Sequence, residues 1–349
     1  MTSTERCYAV TGANGFIGSW LVHKLIARGE QVIALARRPV QSLSPPPGLD
    51  WQEADPFASP QVTWRQADIL DRDSLIRALE GATHVFHLAA YAHNWAPRRQ
   101  TYYDVNVQGM CNVFDAAAQH NVQRVVWTSS IVVLGPTPPG QQHTEDHPRS
   151  TTKFYTEYER TKAIAEQEAL RRARDGFPVV VVLPTRVYGP GYFTESNSAT
   201  RLIEEYLRGR MPFLVNWGKN VGNWVYVEDV AEGMMLAMNH GRIGERYILG
   251  GENASLKDFF HTLDEVTGTK HFQIPIYKFL PLLAAWFMEK RAQLTGHYPL
   301  ITPGWMQSFL VDWAYSSQKA QRELGYNPLP LVEGLRRTYD WLKRLHKVP

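Results

Sequence analysis

The sequence predicts an α/β protein with a doubly wound parallel sheet and a smaller, discontinuous C-terminal domain. Three observations predict this fold class. The first half of the chain alternates short apolar segments with longer segments of helical period, the pattern of parallel strands joined by crossover helices. The chain has 349 residues, more than a typical single domain. Beyond Pro184 the alternation gives way to separated helices, which indicates a companion domain.

Six buried strands of the larger domain are predicted from short, continuous apolar runs. They span residues 6–10, 31–36, 62–66, 84–87, 124–128 and 178–183. Helices of the larger domain fill the gaps between them. The smaller domain is predicted to contain helices at residues 200–207, 256–267, 277–294 and 331–345, with a short strand near 246–249.

The smaller domain is predicted to be assembled from separate segments, because residues 223–238 again resemble a strand and helix of the larger domain. We therefore expect a larger domain of residues 1–185 plus about 223–240, and a smaller domain of residues 186–222 and 241–349. The apolar segment 279–288 is predicted as a core helix of the smaller domain. Covering the pocket, contacting a second subunit and touching a membrane surface are the alternatives.

Composition and charge exclude several classes of protein. Hydrophobic residues make up 44% and charged residues 20% of the chain, as in soluble globular proteins. The net charge of +3 is small and the basic residues are scattered, so no nucleic-acid partner is expected. Two cysteines are too few for a disulfide framework or a metal site. No run approaches the roughly twenty apolar residues of a membrane span, and without a secretory signal pattern the protein is expected to be cytoplasmic.

A glycine-rich turn closes the first predicted strand. Thr11-Gly12-Ala13-Asn14-Gly15-Phe16-Ile17-Gly18 places glycines where the chain turns sharply into the first helix. Backbone N–H groups and the helix dipole favour a pyrophosphate at such a helix N-terminus, and side chains on the glycines would obstruct it. An ordinary turn is the alternative. The strand before the motif and the amphipathic helix after it favour a Rossmann-type dinucleotide site.

The second predicted strand ends in Arg37 and Arg38, where an NAD-specific site usually carries Asp or Glu. No carboxylate there repels a 2′-phosphate, and two guanidinium groups can bind it, so the sequence favours NADP(H) over NAD(H). Solvated loop charges are the alternative. Asp68, after the third strand, is predicted to accept from the adenine amino group, or else to cap a helix.

Three residues predict hydride and proton transfer at a carbinol or ketone carbon. Tyr158 and Lys162 lie four residues apart in a helical segment and so face the same way. A phenol is a poor acid–base group at neutral pH unless a cation such as Lys162 stabilises its phenolate. Ser130 follows the fifth strand, whose carboxyl end faces the ligand crevice, and can hold a substrate oxygen against the phenol. A surface helix pair and a turn-capping serine are the alternatives.

Further motifs agree with these in order and spacing. They are His87-Leu88-Ala89-Ala90, Asp104-Val105-Asn106, Ser129-Ser130 followed by Gly135, and Leu183-Pro184-Thr185-Arg186-Val187-Tyr188-Gly189-Pro190-Gly191. Together with the glycine turn, Tyr158 and Lys162, they make the chain resemble an extended short-chain dehydrogenase/reductase along nearly its full length.

The resemblance implies that Ser130 positions the carbonyl, that Tyr158 is the acid–base group, and that Lys162 lowers the tyrosine pKa and binds the nicotinamide ribose. It also implies that Asn106 fixes the backbone. The full set of predicted cofactor contacts is Gly12, Asn14, Gly15, Phe16, Ile17, Gly18, Arg37, Arg38, Asp68, Ile69, Leu88, Ala89, Ala90, Thr128, Tyr158, Lys162, Pro184, Thr185 and Val187.

Within the family, the sequence favours reductases and dehydrogenases over NAD-dependent nucleotide-sugar epimerases and dehydratases. The acidic residue that retains NAD is missing, as is the arginine that sugar-nucleotide enzymes place before the strand written here as Gly222-Asn223-Trp224-Val225. The chain resembles the branch of dihydroflavonol reductases, 3β-hydroxysteroid dehydrogenases and 2-alkyl-3-oxoalkanoate reductases. A sugar-nucleotide enzyme and a non-catalytic NADP(H) sensor are the alternatives.

An aromatic lining is predicted near the pocket mouth, which suits a flat or apolar small molecule such as a steroid, a flavonoid or a 3-oxoacyl compound. The predicted substrate contacts are Tyr91, His93, Trp95, Ser130, Tyr188 and Phe193. Core packing is the alternative for the aromatic members. No metal site is predicted, and a homodimer is expected.

Overall fold

Twelve strands are present in the computed structural model, which describes residues 6–49, 51 and 55–348. In chain order they are β1 (Cys7–Thr11), β2 (Gln31–Ala36), β3 (Val62–Gln66), β4 (His84–His87), β5 (Arg124–Thr128), β6 (Val179–Pro184), β7 (Arg186–Tyr188), β8 (Phe213–Val215), β9 (Val221–Tyr226), β10 (Arg246–Leu249), β11 (Glu252–Ser255) and β12 (Ile274–Ile276). Seven of them form one parallel sheet in the order β10-β6-β5-β4-β1-β2-β3. This sheet confirms the predicted fold class.

Helices cover both faces of the sheet and build the smaller unit. They are α1 (Phe16–Ile26), α2 (Arg72–Ala78), α3 (Gln100–Tyr103), α4 (Gly109–Gln119), α5 (Glu157–Arg174), α6 (Ser198–Leu207), α7 (Val227–His240), α8 (Leu256–Thr267), α9 (Phe279–Thr295), α10 (Pro303–Ser308), α11 (Gln318–Leu324) and α12 (Leu331–Arg344). A π-helical turn, Asp104–Gln108, joins α3 to α4.

The sheet separates two apolar layers, and the alternation along β6 illustrates how. Val180 and Val182 pack into the layer beneath α1 and α7, whereas Val179 and Val181 pack into the layer beneath α4 and α5. A strand buried on both faces therefore has a continuous apolar sequence, as predicted. A third core joins α6, α8 and α12 in the smaller unit.

The predicted division of the chain differs from the structure at two strands. The segment 241–349 was expected to lie in the smaller domain, yet β10 pairs in parallel with β6 and completes the central sheet. Conversely, the strand of the segment 223–240 belongs to β9, which pairs with β7 and β11 in a separate three-stranded sheet. Only the helix of that segment, α7, packs against the larger domain through α1. Short apolar strands carry no signal of which sheet they join.

The predicted core helix at 279–288 is wrong. In α9 the apolar side chains point outward, with Phe287 60% and Leu283 53% exposed. The buried positions of α9 are Pro281, Ala285 and Ala292. Small residues thus face the protein and large apolar residues face away from it, an arrangement that the apolar composition alone cannot distinguish from burial.

No helix among the described residues combines the length and apolarity needed to cross a membrane. The N-terminal residues 2–5, on which the expectation of a cytoplasmic protein partly rests, lie outside the described residues.

Candidate active site

The predicted site residues meet at one edge of the sheet because parallel strands present all their carboxyl ends there. Gly12 follows β1, Leu88 follows β4, Ser129 follows β5 and Thr185 follows β6. β1, β4, β5 and β6 are consecutive neighbours in the sheet. The topology therefore brings motifs that are far apart in sequence together along one edge of the sheet.

The glycine turn has the geometry of a phosphate cradle. Gly12 adopts φ +70°, and the N–H of Gly15 donates to the Gly12 carbonyl oxygen at 2.9 Å. A Cβ on Gly18 would collide with that same carbonyl oxygen. α1 begins at Phe16 without a side chain that caps its first N–H groups. Those amides and the positive helix end are therefore suited to bind an anion.

Thr11 and His87 fasten the glycine turn to the end of β4. The Thr11 hydroxyl lies 2.7 Å from His87 Nδ1 and accepts from the N–H groups of Leu88 at 3.2 Å and Ala89 at 3.1 Å. Burial and the charge of Lys162 lower the pKa of His87 to about 3, so the ring is neutral. Because its acceptor positions are occupied by two amides, Thr11 donates its proton to Nδ1.

Ser130, which follows Ser129 beyond the end of β5, and Tyr158, in the first turn of α5, are close enough for the Ser130 hydroxyl to lower the pKa of the phenol. The Ser130 hydroxyl also accepts from the Val132 N–H at 3.5 Å. Thr156 caps α5 by accepting from the Glu159 N–H at 3.1 Å, which fixes where the helix begins and where Tyr158 points. Lys162 lies one turn further along the same face.

The electrostatics of the trio differ from the prediction in one respect. Burial raises the pKa of Tyr158 to about 12, and the hydrogen bond from Ser130 is what opposes this rise. Lys162 instead donates from Nζ to the Thr128 carbonyl oxygen at 2.7 Å, with burial lowering its pKa to about 7. The pKa of Tyr158 is therefore raised overall, whereas the sequence analysis expected a lowering by Lys162.

Glu166, a carboxylate that was not among the predicted site residues, contacts the residue next to Ser130. Glu166 accepts from the Ser129 hydroxyl at 2.5 Å and pairs with Arg246 at 3.2 Å. Its negative charge partly offsets the effect of burial on the pKa of Lys162. The available signal was the spacing, since Tyr158, Lys162 and Glu166 follow one another at intervals of four along one helix face.

The residues at the ends of β5 and β6 fit a nicotinamide dinucleotide. The hydroxyl oxygens of Thr128 and Thr185 are buried and find no hydrogen-bond partner among the described residues. A buried hydroxyl without a partner costs free energy, and polar groups of a bound ligand would remove that cost. With the glycine cradle on the same edge, these residues match the predicted cofactor contacts.

The predicted adenosine end of the site is open to solvent. Arg37 and Arg38 are exposed just beyond β2. A cavity of about 200 Å³ there is bordered by Arg38, Trp64 and Gln66. Asp68 accepts from the Leu70 N–H at 3.0 Å within a tight turn, while the capping of α2 belongs to Asp71.

The carbonyl of Ile69 is held in place by Asn112, which donates to it at 2.9 Å. The neighbouring glycine, Gly109, accommodates the Ile69 side chain, since a Cβ there would collide with it. The backbone that follows Asp68 is therefore fixed against the helix behind it.

Three predicted substrate contacts come together as an aromatic cluster. The rings of Tyr91 and His93 stack at 4.3 Å, and Trp95 meets Tyr298 edge-on at 5.9 Å. Tyr298, which the sequence analysis missed, also accepts from the Asn94 N–H at 3.1 Å and approaches Glu195 at 3.4 Å. About two hundred residues separate it in the chain from Tyr91, so no local pattern could have identified it.

Two other predicted substrate contacts, Tyr188 and Phe193, pack in the smaller unit and do not join this cluster. Tyr188 is 1% exposed, and its hydroxyl donates to the Leu331 carbonyl oxygen at 3.4 Å inside the smaller unit. Phe193 stacks on Trp341 at 5.2 Å. Between them, Gly189 and Gly191 adopt φ +136° and +151°, and Gly191 packs on the Phe16 ring at the start of α1.

Asn106 has the backbone-fixing position that the resemblance implied. Its side-chain oxygen accepts from the Tyr91 N–H at 2.7 Å, and its amide donates to the Thr161 hydroxyl at 3.1 Å. It thus ties the loop after β4 to α5, where Tyr158 and Lys162 are located. Among the described residues, no group of three or more His, Cys, Asp or Glu side chains is placed to hold a metal ion.

Comparisons with known proteins identify relatives in sequence and in overall structure. The chain is 32% identical to a provisionally named dihydroflavonol 4-reductase of Synechocystis, over 97% of this chain and 94% of the other. It is 36% identical to sterol demethylase protein B of Methylococcus capsulatus, over 74% of each. The crystal structure of gox2253 superimposes with a TM-score of 0.80 at 31% identity, covering 99% of this chain and 100% of that one.

The family match covers most of the chain. Residues 8–250 match the model of the NAD dependent epimerase/dehydratase family, a span that runs from β1 through β10 and contains the glycine turn, Ser130, Tyr158 and Lys162. With its dehydrogenase and reductase relatives, the chain belongs to this nicotinamide-dependent enzyme family, the extended short-chain dehydrogenases/reductases.

Proposed function

We propose that this protein is an NADP(H)-dependent reductase or dehydrogenase. It transfers a hydride between the nicotinamide and a ketone or secondary alcohol carbon of a largely apolar or aromatic substrate. The observation that carries the proposal is the convergence of Ser130, Tyr158 and Lys162 at the carboxyl end of β5, where Lys162 donates to the Thr128 carbonyl oxygen and Ser130 influences the pKa of Tyr158. Cofactor binding alone does not require these three groups to meet.

The chain's own residues account for the proton and for the orientation of the substrate. The bound nicotinamide supplies the hydride in reduction and accepts it in oxidation. Ser130 donates to the carbonyl oxygen and holds it beside Tyr158, whose O–H then passes its proton to that oxygen as the carbinol forms. Because burial raises the pKa of Tyr158 to about 12, the phenol carries its proton at neutral pH and is ready to act as an acid.

Lys162 is placed to compensate the negative charge that this proton transfer leaves on Tyr158. Its ammonium group is held at the Thr128 carbonyl, on the sheet edge that carries the cofactor contacts. A cation there stabilises the phenolate that remains after Tyr158 gives up its proton. Glu166 in turn favours the charged form of Lys162.

The preference for NADP(H) rests on the arginines after β2. Arg38 borders the cavity beside Trp64 and Gln66, Arg37 is exposed next to it, and no acidic residue stands at the end of the strand. A guanidinium group binds a phosphate through two parallel hydrogen bonds, which a ribose hydroxyl cannot reproduce.

The substrate class follows from the walls of the crevice. The cluster of Tyr91, His93, Trp95 and Tyr298 offers rings that stack on an apolar or aromatic molecule. The names of the relatives, which refer to flavonoid and sterol chemistry, support the same class.

The test is to purify the protein without added cofactor, identify any retained dinucleotide, and then assay a panel of aromatic and alicyclic ketones with NADPH and NADH. We expect exchangeable cofactor and ketone-dependent oxidation of NADPH at a higher kcat/KM than with NADH. Tightly retained NAD together with conversion of a nucleotide sugar would replace the proposal with the epimerase alternative. Binding of NADPH without turnover of any ketone or alcohol would favour a sensor.

A further inference from the structure

Arg186 is a cation without an anionic partner. It makes no ion pair with any Asp or Glu of the described residues, and burial alone lowers its pKa to about 10. A positive charge that is largely removed from water and has no anionic partner is destabilising. Such a group is a candidate for ligand binding, since a ligand can supply the missing charge.

The guanidinium group of Arg186 is held between two aromatic rings. Its central carbon lies 5.2 Å from the ring centre of Trp224 and 4.6 Å from that of Phe309. Trp224 is its register partner in the neighbouring strand β9, and Gly222 leaves room for the side chain, because a Cβ there would press on the guanidinium. The group is thus fixed in orientation by its surroundings.

One hydrogen bond to protein uses only part of the donor capacity of Arg186. Nη2 donates to the Ser308 carbonyl oxygen at 3.3 Å, and that oxygen also accepts from the Trp313 indole at 2.7 Å. A guanidinium group has five N–H donors. The side chain is partly exposed, so donors remain within reach of a ligand.

The position of Arg186 connects it to the catalytic residues. It stands two residues after Pro184, at the carboxyl end of β6, which is the neighbour of the strand that leads to Ser130. Ser308, which accepts from Arg186, closes α10, and Gly304 of the same short helix packs on the carbonyl of Tyr155, just ahead of Tyr158. One helix therefore contacts both Arg186 and the segment just ahead of α5, the helix that carries Tyr158.

We propose that Arg186 binds a carboxylate of the substrate, so that the substrate is a hydroxy or oxo acid with an apolar body. The inference rests on the proposed function, which it deepens. A planar carboxylate accepts two parallel hydrogen bonds from one guanidinium group and is neutralised by one positive charge. A diphosphate carries more charge than a single arginine between two rings can balance, so the geometry favours the carboxylate.

The experiment compares 3-hydroxyoctanoate with methyl 3-hydroxyoctanoate as substrates for oxidation with NADP⁺, in the wild type, Arg186→Met and Arg186→Lys. Arg336→Met, at an exposed arginine of α12, is the control for loss of a surface charge. The wild type should prefer the acid. In Arg186→Met the acid-to-ester ratio of kcat/KM should fall about 10–100-fold, mainly through KM, since a hydrogen bond to a charged group contributes about 1.5–3 kcal/mol.

The acid-to-ester ratio of Arg186→Lys should lie between those of the wild type and Arg186→Met, because lysine keeps the positive charge but cannot form two parallel hydrogen bonds to a carboxylate. Circular dichroism and the melting temperature establish that each variant folds. If Arg186→Met is unfolded, the ratio in Arg186→Lys decides. An unchanged ratio in the folded variants, or a wild type that prefers the ester, overturns the proposal.

Calorimetry with octanoate, methyl octanoate and UDP-glucose separates this proposal from the proposed function. Binding of octanoate that depends on Arg186, with no turnover of any hydroxy acid, would support the carboxylate site and contradict the reductase function. Equal turnover of the ester and the acid, without octanoate binding, would support the reductase function and contradict the carboxylate site. Binding of UDP-glucose but not octanoate through Arg186 would overturn the carboxylate assignment.

Discussion

The ammonium group of Lys162 lies 2.7 Å from the carbonyl oxygen of Thr128, so α5 is fastened to the end of β5 by a charged hydrogen bond. The lysine is 3% exposed, and its ring neighbour Trp127 lies 5.1 Å away. The arrangement places a positive charge at the carboxyl end of the sheet at the expense of its hydration. Groups with strongly shifted pKa values are frequent at functional sites, and the proposed function gives this lysine a role beside Tyr158.

Replacing Lys162 by Met should make folding stability less dependent on pH. The folded pKa of Lys162 is about 7, below the ordinary value of 10.5, so between these values the unfolded chain binds a proton that the folded chain does not. Its contribution to the free energy of unfolding therefore rises with pH across this window and is lost as pH falls through 7. Urea unfolding of wild type and Lys162→Met at several pH values measures the difference.

The control for that experiment is Lys257→Met, at an exposed lysine of α8. If the difference in free energy of unfolding between wild type and Lys162→Met stays constant from neutral to alkaline pH, the lowered pKa of Lys162 is contradicted.

Tyr158→Phe should lower kcat by about 10²–10⁴-fold, the range that a general acid contributes. The ring and its packing remain, so the dissociation constant for NADPH should change little. Turnover of the best ketone and NADPH fluorescence titration measure the two quantities. Tyr155→Phe, three residues earlier and also partly buried, makes the same chemical change and should retain most of the activity. Comparable loss in both variants would point to a structural effect.

Arg38→Ala should weaken NADPH binding about 10-fold or more, because the group borders the cavity at the end of β2 and can form charge-assisted bonds to a 2′-phosphate. NADH, which lacks that phosphate, should be affected far less. Arg37→Ala tests the neighbouring guanidinium in the same way, and Arg72→Ala in α2 controls for general charge. Equal weakening of both dinucleotides would make these arginines solvated surface charges.

Gly18→Ala should abolish dinucleotide binding, since the added methyl group would collide with the Gly12 carbonyl oxygen and displace the turn. Gly81→Ala provides the comparison. Gly81 has φ +83° and open space around it, so its substitution should cost only the backbone strain of about 1–2 kcal/mol. Retention of NADPH affinity in Gly18→Ala would show that the cradle can relax around a side chain.

Local patterns predicted the strands and the catalytic trio because both depend on residues close together in sequence. The runs at β2, β3, β4 and β5 have the predicted bounds, and β1 and β6 are displaced by one residue. Ser130 and Tyr158 meet because each is tied to the start or end of such an element.

Long-range placement is what the sequence could not supply. Tyr298 reaches the aromatic cluster, and Arg186 becomes enclosed, through contacts with segments more than a hundred residues away. Tyr188 and Phe193 were predicted as substrate contacts, yet Tyr188 is buried against Leu331 and Phe193 stacks on Trp341, both in the distant C-terminal segment. Sequence periodicity predicts which face of a helix or strand is apolar, but it does not predict which other segment packs against that face.

The late entry of β10 into the central sheet has a consequence for biosynthesis. Until Leu249 has left the ribosome, β6 is an unprotected edge with unpaired N–H and C=O groups, although every strand before it is already available. A chain cut after residue 185 would keep that edge permanently and would be expected to self-associate through it. The segment after residue 185 thus completes the central sheet whose first strand leads into the glycine turn.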